Sequence, residues 1–447
     1  MRTNKIHQYL FFLFVIVCSF FNAGNSNIYI QMNFLLISFI FLLCLKNKNY
    51  IAHLKNFLFK NKINLLFFLL FILYLIFQLI PLPIEILKIV SYEKFNLLDK
   101  MEHSSNLFSM SFSPTDTYFQ ILNYMTILIC IFVIKMIFYD QRHIYRFYYF
   151  LALLGAIHAF LATFLYLNGN PDILFLKNTP YKYSSTGLFI NRTVFSIFLI
   201  FCLICGLEYL KKIVKTDFYK NKDNYFKKIY VRIFIIFITI GIITTFSKLG
   251  NFILILTILF YLFHNYFIEK NSNRTFSIIL IFIILLDIFI LGFYFGGDKL
   301  IERFLFLSDD FVINDNSKSI SRLDIISFSL NQFKNNLIFG YGAGGFENIF
   351  KINFINNDIL FANHAHSDIF EFLGEFGILG FVLFILSFSK ILVKKSNYNF
   401  NFNLLLIIGT MIILFDFSLH IPLIQILYVI LIMFSINKVK SNFTQSN

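Results

Sequence analysis

Long, nearly charge-free apolar runs constrain this chain more than any other feature. Leu65 to Ile80, Ile233 to Phe246 and Ile278 to Phe295 are examples. A helix rises about 1.5 Å per residue, so roughly 20 apolar residues cross a bilayer's hydrocarbon core. No water is present there, and every backbone amide must bond within its own helix. Composition agrees. Hydrophobic residues make up 58% of the 447, mean hydropathy is +0.73, and only 14% are charged, against about 25% in ordinary soluble domains. The expected fold is all-α: a polytopic integral membrane protein with about 12 transmembrane helices.

The expected spans are about 8–22, 28–45, 63–80, 118–138, 147–167, 193–210, 230–246, 250–268, 276–296, 368–390, 402–418 and 421–437. Loop charge tests them independently, because Lys and Arg collect on the cytoplasmic side. With the N-terminus inside, the inner segments hold Arg2 and Lys5; Lys46, Lys48, Lys55, Lys60 and Lys62; and Arg142 and Arg146. A dense stretch from Lys211 to Arg232 follows, including Lys220, then Lys270 and Arg274, then Lys390, Lys394 and Lys395, then Lys438 and Lys440. These segments take most of the 38 basic residues, while Glu85, Glu93, Asp99 and Glu102 dilute the outer ones. The net charge of +14 is therefore a topology signal, and nucleic acid is not an expected partner. Residues 1–24 also fit a signal peptide, with Arg2 and Lys5 before an apolar core; a retained first helix is the preferred reading.

Cys18, Cys44, Cys130, Cys202 and Cys205 all fall in apolar runs, where thiols pack rather than react. Cys202 and Cys205 form a C-x-x-C with no further ligand close in sequence. Lys135, His158 and Asp287 are expected inside spans as packing or cavity-lining groups.

Polar chemistry gathers outside. Two long outer loops, 81–117 and 297–367, divide the chain into helices one to nine (1–296), a large outer loop (297–367) and helices ten to twelve (368–447). Long ordered loops are uncommon without a task. In the second, Leu323, Ile326, Leu330 and Phe333 recur at helical spacing, predicting an amphipathic helix on the membrane surface that Asn335 and Asn336 end. Gly340-Tyr341-Gly342-Ala343-Gly344-Gly345 then predicts a tight turn allowing close backbone approach to a ligand or another helix. It is no Walker loop, since no Gly-Lys-Ser/Thr follows.

Asn363-His364-Ala365-His366-Ser367-Asp368 comes immediately before the tenth span, which opens with Glu371 and Glu375 one turn apart. Carboxylates at the head of a membrane helix are costly unless paired or facing a polar cavity. An imidazole titrates near neutrality and can take a proton from a hydroxyl. His364, His366 and Asp368 also suit a metal, although no third strong ligand is close in sequence, and none is expected. Arg192, Lys248 and Arg322 break the positive-inside trend at outer helix starts. An anionic ligand at the outer interface explains all three, and Arg suits phosphate through its paired donors.

These residues resemble the O-antigen ligase and O-antigen polymerase superfamily of bacterial membrane glycosyltransferases. That family carries a His followed by Asn, Ser or Gln, nine residues, Gly, two residues, then Gly, Thr or Tyr. Here His366 precedes Ser367, and Gly377 and Gly380 complete the pattern. Ser321-Arg322, the Gly340-x-Gly342 turn, the Gly187 to Asn191 segment and a Ser-Arg-like turn also match, the last as Ser247-Lys248. Similarity is best over about 184–380. Lys248 keeps the family's charge but not its paired donors.

The resemblance implies a GT-C-like fold in the bacterial inner membrane, with a periplasmic loop between spans nine and ten and the active site on the periplasmic face. It implies a glycan donor on undecaprenyl diphosphate and an acceptor hydroxyl on lipid A-core or another lipid-linked glycan. Transfer would be inverting, metal-independent and cofactor-free. His366 would be the general base, oriented by Glu375 or Asp368. Arg192, Arg322 and Lys248 would stabilise the leaving diphosphate. Asn191, His364, Gly340, Gly342, Gly377 and Gly380 would support the site. A transporter or flippase is the competing class, though no internal repeat accompanies it and the polar residues avoid the midplane. A non-catalytic assembly protein is the third reading.

Overall fold

Each expected span overlaps a helix among the described residues, which leave out 290–296 of the ninth. The computed structural model describes residues 2–100, 107–172, 181–215, 222–268, 274–289, 321–354, 362–393 and 400–436. In chain order the helices are α1 (Arg2–Phe20), α2 (Asn27–Cys44), α3 (Lys48–Lys60), α4 (Lys62–Phe77), α5 (Ile84–Val90), α6 (Tyr92–Asp99), α7 (Pro114–Ile137), α8 (Gln141–Leu167) and α9 (Arg192–Lys215). Then come α10 (Lys222–Thr244), α11 (Lys248–Phe263), α12 (Arg274–Phe289), α13 (Arg322–Asn335), α14 (Phe346–Asn353), α15 (Asp368–Val393), α16 (Phe400–Phe415) and α17 (Pro422–Ile436). Two short strands, β1 (Pro81–Pro83) and β2 (Leu107–Ser109), pair antiparallel with Leu82 opposite Phe108. Residues 297–320 and 355–361 of the expected outer loop, Glu102, Lys220, Lys270, Lys394, Lys395, Lys438 and Lys440 lie outside the described residues, as does the Asp287 side chain.

Among the described residues six helices are long and apolar enough to cross a membrane: α2, α7, α8, α9, α11 with its extension to Phe267, and α15 up to Ser389. A seventh span arises if α3 and α4, bent by 84°, count as one. The helices α1, α16 and α17 are apolar but shorter. The bend at Asn61 has a physical reason. α3 is amphipathic, with Tyr50 and Leu54 buried and Lys48, Lys55 and Lys60 exposed, so it suits an interface better than a lipid interior.

The helix α9 is the most enclosed, and small residues let its neighbours approach. A Cβ on Gly155 of α8 would lie 2.4 Å from the Cys202 Cβ, and one on Gly241 of α10 would lie 2.6 Å from the Ala159 Cβ. Close backbone approach of this kind holds membrane helices together by packing. All five cysteines are buried and free. His158 meets Ser19 Oγ at 3.0 Å, tying α8 to α1. Lys135 sits over the Phe57 ring.

The two expected outer loops dock on each other. Glu93 of α6 accepts from Asn336 Nδ2 at 2.5 Å and from Asn353 Nδ2 at 2.6 Å. Phe112 donates its amide to the Tyr341 carbonyl, and Thr117 donates its hydroxyl to the Ala343 carbonyl. Burial pushes the Glu93 carboxyl above its ordinary value, against the pull of its amide donors. The neighbouring Lys94 ammonium is lowered by burial to about 8 and donates to the Ser109 and Ser111 carbonyls.

The helix α13 forms where expected and ends at Asn336, but a different face is buried. Ile325, Phe328, Ser329 and Gln332 turn inward, while Leu323, Ile326, Leu330 and Phe333 are only partly covered. The reason is tertiary: α13 packs against α15, and Phe328 meets Phe346, Phe350 and Phe354. A polar Ser329 and Gln332 can face inward because that interior is itself partly polar.

Candidate active site

The site is built on a broken helix. Within α15, Gly377 has φ +59, which interrupts the helical ladder. The Gly340 turn fills the interruption. Tyr341 donates its amide to the Gly374 carbonyl at 2.9 Å and Gly342 to Glu375 at 3.2 Å, while Ile378 and Leu379 donate to Leu337 and Ile338. Tyr74 of α4 and Gln78, the residue that caps its C-terminus, close the seam: Gln78 Nε2 reaches the Glu375 carbonyl at 3.1 Å, and Tyr74 the Phe376 carbonyl at 2.9 Å. A Cβ on Gly377 would sit 2.3 Å from the Ile338 oxygen, and one on Gly340 2.4 Å from the Glu375 oxygen. Freed carbonyls inside a membrane protein need such partners. The predicted close approach is therefore to another helix.

Residues 368–376 form the head of α15, and their acids turn inward. Asp368, Glu371 and Glu375 are buried, at 0–1% exposure. Their shared partner is His420, in the short Ser418–His420 turn between α16 and α17. Its Nδ1 bonds Asp368 Oδ1, and its Nε2 lies 3.5 Å from Glu371 Oε1 and 3.7 Å from Glu375 Oε2. The imidazole stacks on Phe372 at 4.2 Å. Burial alone would lower this imidazole, but the surrounding carboxylates prevail and hold it well above its ordinary value. Protonated, it is a cation placed among the buried acids.

Glu371 reaches back to the preceding loop. Its two oxygens accept from His364 Nδ1 at 2.8 Å and from the Ala365 amide at 2.7 Å. His364 stacks on Phe417 at 4.3 Å, and His366 meets the edge of the same ring at 5.5 Å. His366 is partly exposed and has φ +54. The expectation that Asp368 or Glu375 orients His366 is corrected in part: Asp368 accepts from His420 and the Leu419 amide, and Glu375 faces His420. Both acids point into the interior, while His366 stands at its rim.

The three outer basic residues come to neighbouring helix starts. Asn191 caps α9 by accepting from the Thr193 and Val194 amides, and its Nδ2 reaches Tyr181 Oη at 3.3 Å. The Arg192 guanidinium lies over the Tyr181 ring at 5.4 Å. Ser247 caps α11, placing Lys248 at its first position, and Ser247 Oγ meets Thr193 Oγ1 at 3.2 Å. Arg322 begins α13 after a Ser321–Asp324 capping box and is exposed. Tyr181 is within electrostatic reach of Arg192, Arg322 and Asp416. Asp416 in turn accepts the Asp368 amide at 2.9 Å, and α9 packs against the Ser418–His420 turn. Basic helix starts and the imidazole–carboxylate cluster thus share one end of the bundle.

His364 and Asp368 point to different partners, so with His366 they do not form the trio considered from sequence. Among the described residues the ligating atoms of Glu371, Glu375 and His420 lie within 4.8 Å of one another. His420 and Asp416 are the residues that sequence reading passed over. Their signal is a polar break, Asp416 to His420, between two apolar runs.

Residues 233–385 match the family model described as O-Antigen ligase. That stretch holds Lys248, Arg322, the Gly340 turn and the whole His366 to Gly380 motif, while Arg192, Asp416 and His420 flank it. No curated protein matches the chain.

Proposed function

We propose, for a chain whose residues 233–385 match the O-Antigen ligase family model, that this cluster transfers a glycan from undecaprenyl diphosphate to a sugar hydroxyl of lipid A-core. The supporting observation is the shared location of a rim histidine, a buried charge-paired scaffold and three basic helix starts. The acceptor oxygen attacks the anomeric carbon while the bond to the diphosphate breaks, inverting that carbon. His366 takes the acceptor's proton, worth about 10²–10⁴ in rate. Arg192, Arg322 and Lys248 receive the charge that grows on the leaving diphosphate, where preorganised cations act most strongly. Those side chains supply the positive charge a metal would otherwise bring, so the transfer is metal-independent. No nucleotide or other cofactor is required, because the lipid diphosphate already activates the sugar.

The same reading carries the topology: about twelve spans in a bacterial inner membrane, the N-terminus cytoplasmic, and 297–367 as a periplasmic loop between 1–296 and 368–447. The description of the family that residues 233–385 match supports the ligase form. Purified chain in proteoliposomes, given lipid-linked glycan and lipid A-core, is expected to yield glycan on the core and to keep its rate in chelator. Elongation of lipid-linked glycan with none on the core would make it a polymerase instead.

A further inference from the structure

Glu371 holds both His364 and the Ala365 amide, so it fixes the two residues ahead of His366. What fixes Glu371 is less local. It is buried on α15 beside two other carboxylates, Asp368 and Glu375, with Tyr124 of α7 and Tyr341 of the Gly340 turn also facing the acids. The opposite charge comes from another element, 49 residues on in sequence, as the His420 imidazole.

We infer that His420 is a positioning residue for transfer: through Glu371 it sets the His364–Ala365 segment and hence the placement of His366. The geometry divides the labour between its two nitrogens. Nδ1 and the Leu419 amide anchor the turn to Asp368. Nε2 faces Glu371 and Glu375 and is the arm that acts on the loop. Phe372 stacks on the ring between these two contacts. His420 itself is buried, at 5% exposure, whereas His366 stands partly exposed. Asp416 meets the cluster through its carbonyl, which accepts the Asp368 amide, while its carboxylate accepts from Ser418.

The inference rests on the transferase reading for its kinetic arm, so the test has two arms. His420→Asn keeps a donor near the Nδ1 position, toward Asp368, and loses the arm to Glu371. His420→Gln keeps reach toward Glu371 and loses the anchor. A misplaced catalytic group costs up to about 10²-fold, so His420→Asn is expected to lower kcat by roughly 10- to 100-fold with donor KM nearly unchanged. His420→Gln should lose less kcat. Glu371→Gln should show the same kcat loss, and the His420→Asn/Glu371→Gln double variant should be no worse than either alone, because both act through one path. The second arm needs no substrate. Carbethoxylation of His366, followed by mass spectrometry in the ligand-free chain, should change by roughly threefold or more in His420→Asn, the size at which coupled residues separate from independent ones.

A loss confined to KM, multiplicative losses in the double variant, or unchanged His366 labelling would each overturn the inference. So would wild-type activity that chelator removes and a divalent ion restores, since His420 would then be a ligand. If wild type transfers nothing while His366 labelling still responds to His420→Asn, the positioning holds and the transferase reading falls.

Discussion

His366 adopts φ +54, a conformation that costs ordinary side chains roughly 1–2 kcal/mol and that Asn tolerates best after Gly. His366→Asn therefore separates chemistry from folding: unfolding temperature should stay near wild type while kcat falls by about 10²–10⁴. At the basic positions the geometry of the donors matters as well as charge. Arg322→Lys should weaken donor use by roughly tenfold through loss of the paired donors, and Lys248→Arg should cost nothing or improve it. Steady-state kinetics with lipid-linked donor read both. The His364 to Gly380 stretch was legible because its chemistry is contiguous: a titratable pair, two acids one helical turn apart, and glycines that ordinary helices avoid. His420 was not, because a lone histidine between apolar runs carries no periodic or spacing signal. Its meaning comes from three carboxylates brought to it across 45 to 52 residues.

The helix α15 shows what sequence can and cannot say about an element. Its apolar length announces a span, and Gly377 and Gly380 stand out as a motif. The break at Gly377 depends on the Gly340 turn and on Tyr74 with Gln78, two segments far apart in the chain. Gly377→Ala meets both a positive φ and a backbone oxygen 2.3 Å from the new Cβ. Backbone strain of about 1–2 kcal/mol and overpacking of about 1–3 kcal/mol should add, leaving it poorly folded. Gly169→Ala is the control, with φ +79 but nothing within 4 Å of the Cβ, and should cost only the backbone part. Thermal unfolding in detergent compares them. The α13 helix teaches the converse. Its extent was legible from spacing and its cap from Ser321 and Asp324, but which face is buried was decided by α15 and the phenylalanines of α14.

For the whole molecule, loop charge predicts the topology, and buried charge the pH response. Single cysteines placed near Lys55 should label from the cytoplasmic side, and ones near Asp99 from the outer side. Stability should also respond to alkali. The folded His420 imidazole is held above its ordinary value, so its contribution is complete below about 6.5 and is lost as pH rises through the folded value. Lys94 works oppositely: lowered to about 8 in the fold, it makes stability rise between there and its ordinary value near 10.5. The difference between wild type and His420→Gln isolates the histidine, and wild type should lose its advantage as pH climbs above neutral. The predominantly helical architecture, with helices long and apolar enough to cross a membrane, was legible at this scale from apolar runs. The docking of the two outer loops through Glu93, Asn336 and Asn353 was not, because nothing local marks which distant amides a surface acid will meet.

The central claim is that the outer end of this bundle moves a glycan from a lipid diphosphate to a hydroxyl using His366 as base. Its most direct test is single-turnover transfer in proteoliposomes, with wild type and His366→Asn side by side on undecaprenyl diphosphate-linked glycan. Wild-type transfer with the variant slower by about 10²-fold or more and equally folded is the predicted result; a variant that transfers at the wild-type rate would contradict it.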